Sequence, residues 1–336
     1  MTLAGAGASV LAVVVARIGD TLLATPALRA MREGTRRLTV LAHPKRLDVL
    51  QHLEFIDELG AITKDGAWFK GRLRPVRHDV ALCYGRDAAL LRYCTRVARA
   101  TVCFDYAELP RVEGASVIRV PVPPDKSLHA VDERMLLALA AGASLRSRRL
   151  AYVVSEQERA FALDWISRHV PGGARPLIGL QPFSFPTKAH RDWPVGHFAA
   201  LAGLALQQDS RSFFVLLGDA SAASCAGVFE QAIAGRYAVA AGRLTLRQSA
   251  ALMQQLSLYI GVDTGPTHIA GALDIPMVAL YHPSYPGRNL MPLERPRCAV
   301  IEHPGAGAAD AAGARMGEIP VEQVWAAARE LLVTPA

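Results

Sequence analysis

Short apolar runs alternate with longer segments rich in Ala, Leu and Arg along the first half of the chain. The short runs favour β-branched residues, which is typical of strands covered on both faces of a parallel sheet. The predicted strands are Val10–Ala16, Leu38–Ala42, Asp79–Leu82, Thr101–Phe104 and Ser116–Val120. The predicted helices are Thr25–Glu33, Lys45–Leu53, Ala88–Ala98 and Ala130–Ala141.

A second series of the same kind follows a Gly- and Pro-rich segment at Val170–Pro176. Its predicted strands are Pro176–Leu180, Ser212–Leu217, Ala238–Ala241, Leu258–Val262 and Met277–Tyr281. Its predicted helices are Gly196–Gln207, Ala222–Ala234, Leu246–Gln255, Thr267–Leu273 and Val321–Leu332. The alternation predicts an α/β protein with doubly wound sheets that bind ligands at the carboxyl ends of their strands.

The length of 336 residues, at ~150 residues per domain, predicts two domains. We place them at residues 1–170 and 171–336, because the Gly- and Pro-rich segment between them is suited to a linker. The last helix of the chain has two candidate positions, on its own domain or packed back on the first one.

The composition, 51% hydrophobic and 20% charged, is that of a globular protein and excludes a largely disordered chain. The formal net charge of +7 is unevenly divided. Residues 1–150 carry 23 basic and 15 acidic residues, a net +8, whereas residues 151–336 carry 14 and 15, a net −1. The basic excess of the first half indicates an anionic partner there.

The five cysteines have no CxxC spacing, which favours reduced thiols over a disulfide framework or a zinc site. The apolar run at 10–16 lacks a preceding basic segment, so we interpret it as a strand and not as a signal peptide. No charge-free apolar stretch reaches about 18 residues, so no transmembrane helix is predicted. We therefore expect a cytoplasmic protein, with peripheral membrane contact left open. No HExxH or DxD pair appears, and neither a metal nor a cofactor is expected.

The first predicted strand leads into Arg17-Ile18-Gly19-Asp20-Thr21. Gly19 permits a tight turn, and Asp20 falls at the carboxyl end of the strand, near the start of a helix. An ionised carboxylate there can accept a proton, but Asp is also an ordinary capping residue, and both interpretations are kept. Arg17 would pair with Asp20 or meet a ligand anion.

The second candidate site is the strand-to-helix segment Asp263-Thr264-Gly265-Pro266-Thr267-His268. Pro266 suits the first turn of a helix, and the free N–H groups of that turn can hold a diphosphate. The hydroxyls of Thr264 and Thr267 and the ring of His268 add hydrogen-bond donors. The alternative is a capped helix in which His268 is satisfied locally.

The third candidate is the loop after the first strand of the second domain. Lys188 and Arg191 are cations on this loop that could neutralise a diphosphate, and Ser184 and Thr187 add hydroxyl donors. The alternative is a surface loop in which Trp193 packs as an anchor.

Arginines are concentrated between residues 72 and 99. One interpretation is a docking surface for a phosphorylated or lipid-borne acceptor, with Arg72, Arg74 and Arg77 as its candidates. The other is a set of solvated helix and loop faces. No RNA- or DNA-binding motif accompanies the charge, so no nucleic acid partner is predicted.

Three of these segments together resemble the heptosyltransferases, glycosyltransferase family 9. Arg17–Ala30 is similar to the opening motif of that family, and Asp263–Ala270 resembles its donor-site signature. Arg191–Pro194, followed by His197–Leu201, resembles its basic-x-Trp-Pro motif. The three motifs occur in the order of the family with similar spacing, and the resemblance covers most of the chain.

The resemblance implies a GT-B fold, in which two Rossmann-like domains face each other across a cleft. The acceptor would lie in the N-terminal domain and the nucleotide-sugar donor in the C-terminal domain. It implies inverting, metal-independent transfer of a sugar, usually heptose from ADP-heptose, to the lipopolysaccharide core or a related glycan. Such a glycolipid acceptor would allow peripheral contact at the cytoplasmic face of the inner membrane.

Carried over by motif, Asp20 is the general base, and Arg191 and Lys188 stabilise the departing diphosphate. The expected donor-binding residues are Ser184, Thr187, Asp219, Asp263, Thr264, Gly265, Pro266, Thr267 and His268. The expected acceptor-binding residues are Arg17, Gly19, Arg72, Arg74 and Arg77.

The chain departs from the family pattern in places. Arg191 stands where the family commonly has lysine, so the main diphosphate contact is either Arg191 or Lys188. Asp219 is only loosely placed as the acidic ribose contact, and the segment 61–78 has no matched counterpart. The alternatives are a transferase of this family acting on a secondary metabolite or a protein, and a nucleotide-sugar-binding protein without transferase activity.

Overall fold

The computed structural model describes residues 3–5, 7–70, 76–306 and 313–333. The chain forms two compact units, Met1–Val153 and Val154–Ala336. In this division the helix Glu156–His169 belongs to the second unit. Its Glu158 carboxylate accepts two 2.6 Å hydrogen bonds from the guanidinium of Arg247 in that unit.

The first unit is built from six strands and six helices among its described residues. They are β1 Ser9–Val14, α1 Ile18–Leu23, α2 Thr25–Glu33, β2 Arg37–Ala42, α3 Leu47–Leu50, β3 Glu58–Ala61, α4 Lys64–Lys70, β4 His78–Tyr84, α5 Ala88–Val97, β5 Ala98–Phe104, β6 Ser116–Val120 and α6 Ala130–Ala141. A short 3-10 turn at Pro44–Arg46 precedes α3.

The second unit continues the numbering. Its elements are α7 Glu156–His169, β7 Leu177–Gln181, α8 Val195–Gln208, β8 Phe213–Leu216, α9 Ala220–Ala223, α10 Ala226–Ile233, β9 Tyr237–Val239, α11 Leu246–Met253, β10 Leu258–Val262, α12 Gly265–Ala272, β11 Met277–Tyr281, α13 Gly287–Leu290, β12 Cys298–Glu302 and α14 Val321–Val333. Two 3-10 turns, Pro186–Arg191 and Met316–Glu318, lie between them. The last helix, α14, packs on α8 and on strands β10 to β12.

The two sheets have the same topology. The first has the order β3-β2-β1-β4-β5-β6, and the second β12-β11-β10-β7-β8-β9, which is the same order counted from the first strand of each unit. Every strand pair in both sheets is parallel. The order reverses between the first and fourth strands of each unit, which is where doubly wound sheets open a crevice for ligands. The prediction of an α/β protein with two doubly wound units is confirmed.

Several central strands are buried along their whole length, because helices cover both faces of each sheet. All residues of β1, β7, β10 and β11 are buried. Trp193 is fully buried beside Phe198 and donates its ring N–H to the carbonyl of Ile319, so it anchors the loop that precedes α8. No helix in the described ranges is long and apolar enough to cross a membrane.

The sequence pattern does not predict the strands β3 and β12, each of which lies at the edge of a sheet. Their residues are mostly half-buried or exposed, so the apolar signal that marks a central strand is weak. The predicted helix Lys45–Leu53 is also shorter than expected. Pro44 begins a 3-10 turn, and the backbone of Gln51 is extended, which leaves α3 as a single turn between them.

Candidate functional site

The turn after β1 brings Asp20 to the third position of α1. Arg17 is the N-cap residue, and no side chain caps the helix, so Asp20 does not have the capping role that the sequence left open. Its carboxylate is paired with Arg134 on α6 instead, with Arg134 Nη2 2.6 Å from Asp20 Oδ1.

Arg134 makes three hydrogen bonds that fix its guanidinium. It donates to the carboxylate of Asp20, to the main-chain carbonyl of Asp20 at 3.2 Å, and to the carbonyl of Ala130 at 2.9 Å. The Asp20 side chain is 43% exposed, and no described residue hydrogen-bonds its second oxygen, Oδ2. One oxygen is therefore held while the other is available to an incoming proton donor.

The other first-unit candidates are less defined by contacts. Arg17 is exposed, and Gly19 lies half-buried within α1. The side chain of Arg77 is exposed, and its backbone N–H donates to the carbonyl of Val97 at the start of β4. Arg72 and Arg74 lie outside the described residues.

The second unit places Asp263 directly after β10, at the switch point of its sheet. The Asp263 side chain is only 4% exposed, and Oδ2 accepts a 2.7 Å hydrogen bond from Nη1 of Arg191. Nε2 of the buried His268 lies 3.7 Å from Oδ1 of the same carboxylate. The structure pairs Asp263 with the largely shielded guanidinium of Arg191, and the role of Asp263 in donor binding stays a prediction.

Helix α12 begins at Gly265, with Thr264 as its N-cap residue and Pro266 in the first turn. No side-chain cap bond is made at this end, and the N–H groups of the first turn have no intrahelical acceptor. The hydroxyl of Thr267 is fully buried, donates to the carbonyl of Val262 and contacts the hydroxyl of Tyr259. Thr267 therefore orders the turn, while the helix terminus itself is suited to an anion.

The loop after β7 forms the 3-10 turn Pro186–Arg191, which carries both candidate cations. The buried Ser184 ties this turn together, because its hydroxyl donates to the carbonyl of Lys188 at 2.7 Å. Its backbone N–H donates to the carboxylate of Asp192 at 2.7 Å. Thr187 is exposed on the turn.

Tyr285, in the loop after β11, lies between the two cations. Lys188 Nζ donates to its hydroxyl at 3.0 Å, and the Arg191 guanidinium lies over its ring, 3.6 Å from the centroid. The hydrogen bond from Lys188 lowers the pKa of Tyr285 below its ordinary value. Tyr285 is not among the residues predicted from the sequence. Its position after a strand next to β10 is the signal that could have indicated it.

The guanidinium of Arg191 has further donors besides Nη1. One of them, Nε, is buried and has no hydrogen-bond partner among the described residues. A buried donor of this kind normally meets a partner, so it is a candidate contact for a bound anion. Because Arg191 is 13% exposed and Asp263 4% exposed, this charged pair is largely shielded from solvent.

Asp219 follows β8 and is the N-cap residue of α9, where its carboxylate accepts from the backbone N–H and hydroxyl of Ser221. The preceding Gly218 has φ +130°, and a side chain there would lie 2.8 Å from Cβ of Ala222 and 3.2 Å from Nε2 of Gln181. The structure thus gives Asp219 a capping contact, and its role toward a ribose stays a prediction.

The geometry gathers Lys188, Arg191, Asp263, Thr264 and His268 at the switch point of the second sheet. It gives Asp20 a fixed cationic partner at the switch point of the first. Within the described ranges, no group of three or more His, Cys, Asp and Glu side chains is arranged to hold a metal ion.

Two doubly wound units of equal topology define the class of proteins built from paired Rossmann-like domains. Residues 86–309 match the family model of glycosyltransferase family 9 (heptosyltransferase), and the chain belongs to that family.

The chain is also similar in sequence to a heptosyltransferase. The chain is 29% identical over 230 residues to lipopolysaccharide heptosyltransferase 1 of Pseudomonas aeruginosa. That alignment covers 67% of this chain and 60% of the relative, so the chain spans less than two thirds of that protein.

Solved structures match over nearly the whole chain and show the fold. The glycosyl transferase family 9 protein of Veillonella parvula superposes with a TM-score of 0.82 at 23% identity, covering 99% of both chains. Heptosyltransferase WaaC of Escherichia coli, solved with ADP, superposes with a TM-score of 0.69 at 18% identity, covering 96% of this chain and 99% of the other. The same protein has also been solved with ADP-2-deoxy-2-fluoro heptose. This chain shares the GT-B fold of these solved structures.

Proposed function

We propose that this chain is an inverting, metal-independent glycosyltransferase that moves a heptose from ADP-heptose to a lipopolysaccharide core or related glycan. Membership of glycosyltransferase family 9 supports the reaction class. The named relative acts on lipopolysaccharide, and the structural relative WaaC binds ADP and a fluorinated ADP-heptose, which supports the donor and acceptor classes.

The observation that carries the proposal is the ion pair between Asp20 and Arg134. A protein that only binds nucleotide sugars in its second unit has no need of a carboxylate held at the switch point of the first sheet. Here Arg134 holds Oδ1 at 2.6 Å and leaves Oδ2 without a described partner. This arrangement suits a base that must meet one hydroxyl in one orientation.

In the proposed reaction, Asp20 removes the proton from an acceptor hydroxyl. The acceptor oxygen attacks the anomeric carbon of the donor, and the bond from that carbon to the diphosphate oxygen breaks. A single displacement of this kind inverts the configuration at the anomeric carbon. The nucleoside diphosphate leaves with the electron pair of the broken bond, and Asp20 carries the proton.

The second unit stabilises the negative charge that develops on the leaving diphosphate. Lys188 and Arg191 supply positive charge on an ordered turn, and the first-turn N–H groups of α12 supply further donors. These groups perform the task that a bound divalent cation performs in other transferases.

The experiment is a transfer assay with ADP-heptose and a heptose-free lipopolysaccharide core, comparing wild type with Asp20→Asn. Loss of a general base lowers kcat by roughly 10²–10⁴-fold, and ADP binding should be unchanged. Asp125→Asn is the matched control, since that carboxylate is 90% exposed and lies 3.8 Å from its neighbour Lys126. Full turnover by Asp20→Asn would show that the base is another residue.

Two further outcomes separate the alternatives. Donor binding without product from any acceptor would favour a binding protein, and product only with a secondary metabolite or a protein would move the acceptor to another class. The cytoplasmic location, the peripheral contact with the inner membrane and the domain boundary at 170 stay predictions.

A further inference from the structure

Two cations of the second unit share one aromatic partner, Tyr285. The ammonium of Lys188 donates to its hydroxyl, and the guanidinium of Arg191 lies over the face of its ring. Lys188 Nζ is also 5.2 Å from the ring centroid. Tyr285 therefore contacts both side chains that the proposed reaction uses to stabilise the diphosphate.

The chemistry of this partner matters because a phenol is neutral. A carboxylate that ordered Lys188 would also neutralise it, as Asp263 does for Arg191. A phenol hydroxyl accepts one of the three N–H groups of an ammonium and leaves the other two free for phosphate oxygens. The positive charge of Lys188 is thus held in place and remains available.

The ring makes the second contribution. A guanidinium stacked on an aromatic face keeps its plane fixed and keeps its N–H groups in that plane for other acceptors. Arg191 uses Nη1 on Asp263, while its buried Nε has no described partner. Stacking on Tyr285 therefore orients Arg191 with a donor left for an anion.

We propose that Tyr285 is a positioning residue for the β-phosphate of the donor, holding Lys188 and Arg191 in their binding geometry before and after the nucleotide arrives. The inference rests on the proposed function, since it names a residue that organises the same diphosphate site. Tyr285 acts through the two cations and does not itself react.

The test compares nucleoside diphosphates with monophosphates, because only the diphosphate carries the β-phosphate. Wild type, Tyr285→Phe and Tyr285→Leu are titrated by calorimetry with ADP and AMP, and with the UDP, GDP and dTDP pairs. Tyr285→Phe keeps the ring but loses the hydroxyl, so we expect ADP affinity to fall by about 5-fold, as for one lost hydrogen bond. Tyr285→Leu also loses the stacking and should fall further, while AMP affinity changes less than 2-fold in both variants.

A double-mutant cycle tests whether Tyr285 acts through Lys188. In a Lys188→Met background, Tyr285→Phe should no longer change ADP affinity, because the ammonium that it positions is gone. Tyr237→Phe is the matched control, since its hydroxyl also makes a hydrogen bond, to the carbonyl of Ala226. Thermal unfolding of each variant shows whether the fold is retained.

The outcomes are distinct. Unchanged ADP affinity in Tyr285→Phe, equal losses for ADP and AMP, or additive effects in the cycle would each overturn the role of Tyr285 and leave the proposed function standing. A wild type that binds none of the four diphosphates would overturn both.

Discussion

Arg134 donates hydrogen bonds to both the carboxylate and the main-chain carbonyl of Asp20, a residue 114 positions earlier in the chain. The two bonds fix the side chain and the backbone of Asp20 together. A guanidinium can do this because its N–H groups form a rigid planar fork, whereas an ammonium is a single point of charge. The position of the proposed base is therefore set by α6 as well as by its own helix.

Replacing Arg134 should impair the transfer step more than donor binding. We expect Arg134→Lys to lower kcat by roughly 10-fold, because a small displacement of a catalytic group is costly, and Arg134→Gln to lower it further. Arg146→Lys is the control, since that arginine is 78% exposed and pairs with Glu33 across 3.3 Å. Steady-state kinetics with ADP titration checks this, and equal kcat values in all three variants would contradict it.

Lys188 should contribute more to diphosphate binding than Arg191. The charge of Arg191 is offset by Asp263 at 2.7 Å, whereas the described partner of Lys188 is a neutral phenol. We expect Lys188→Met to lower ADP affinity by about 10-fold and Arg191→Met by less, on the magnitude of a charge-assisted hydrogen bond. Calorimetric Kd values decide the order, and a larger loss in Arg191→Met would reverse it.

The sequence predicts most of the fold because a buried parallel strand has a strong apolar signature. Ten of the twelve strands in the described part of the chain follow from it, with ends shifted by a few residues. The strands β3 and β12 are not predicted, because most of their residues are half-buried or exposed and need not be apolar. Helix α7 packs on α11 of the second unit, and local composition carries no information about that contact.

The site is predicted only where one segment of sequence supplies it. Asp20 and the segment Asp263–His268 stand at strand ends, so their positions follow from the alternation of strands and helices. Arg134 and Tyr285 lie in other segments, and only the tertiary structure brings them to Asp20 and to Lys188. Side-chain partners that are distant in sequence leave no local pattern.

The Glu158–Arg247 pair predicts a pH dependence of stability. Glu158 also accepts from the backbone of Ser155 in the capping box of α7, and the hydrogen bonds from Arg247 lower its pKa to about 2. A carboxyl whose pKa is lowered on folding stabilises the protein above its unfolded pKa, and this stabilisation is lost as the pH falls through the folded one. We expect the free energy of unfolding to decline between pH 4.5 and 2.

The matched variant is Glu158→Gln. Its free energy of unfolding at pH 7 should be roughly 3 kcal/mol lower than that of wild type, because the substitution removes the negative charge that pairs with the largely buried guanidinium of Arg247. The difference from wild type should shrink toward pH 2. Denaturant unfolding at several pH values measures both quantities. A variant with the same pH profile as wild type would assign the acid sensitivity to other carboxylates.

The basic segment of the first unit should affect the acceptor and not the donor. Replacing Arg72, Arg74 and Arg77 by glutamine in one variant is expected to raise the acceptor KM several-fold at low salt. ADP affinity should be unchanged. Arg243→Gln, an exposed arginine of the second unit, is the control. An unchanged acceptor KM would show that these arginines do not bind the acceptor.

The equal topology of the two units has a consequence for how such a chain can change. Each sheet is assembled from one continuous stretch of sequence. The hydrogen bonds from Ser184 to Lys188, from Lys188 to Tyr285 and from Arg191 to Asp263 all join residues of the second stretch. Under the proposed function, mutations in the first 153 residues leave these three hydrogen bonds in place. We therefore expect acceptor preference to change more readily than donor binding.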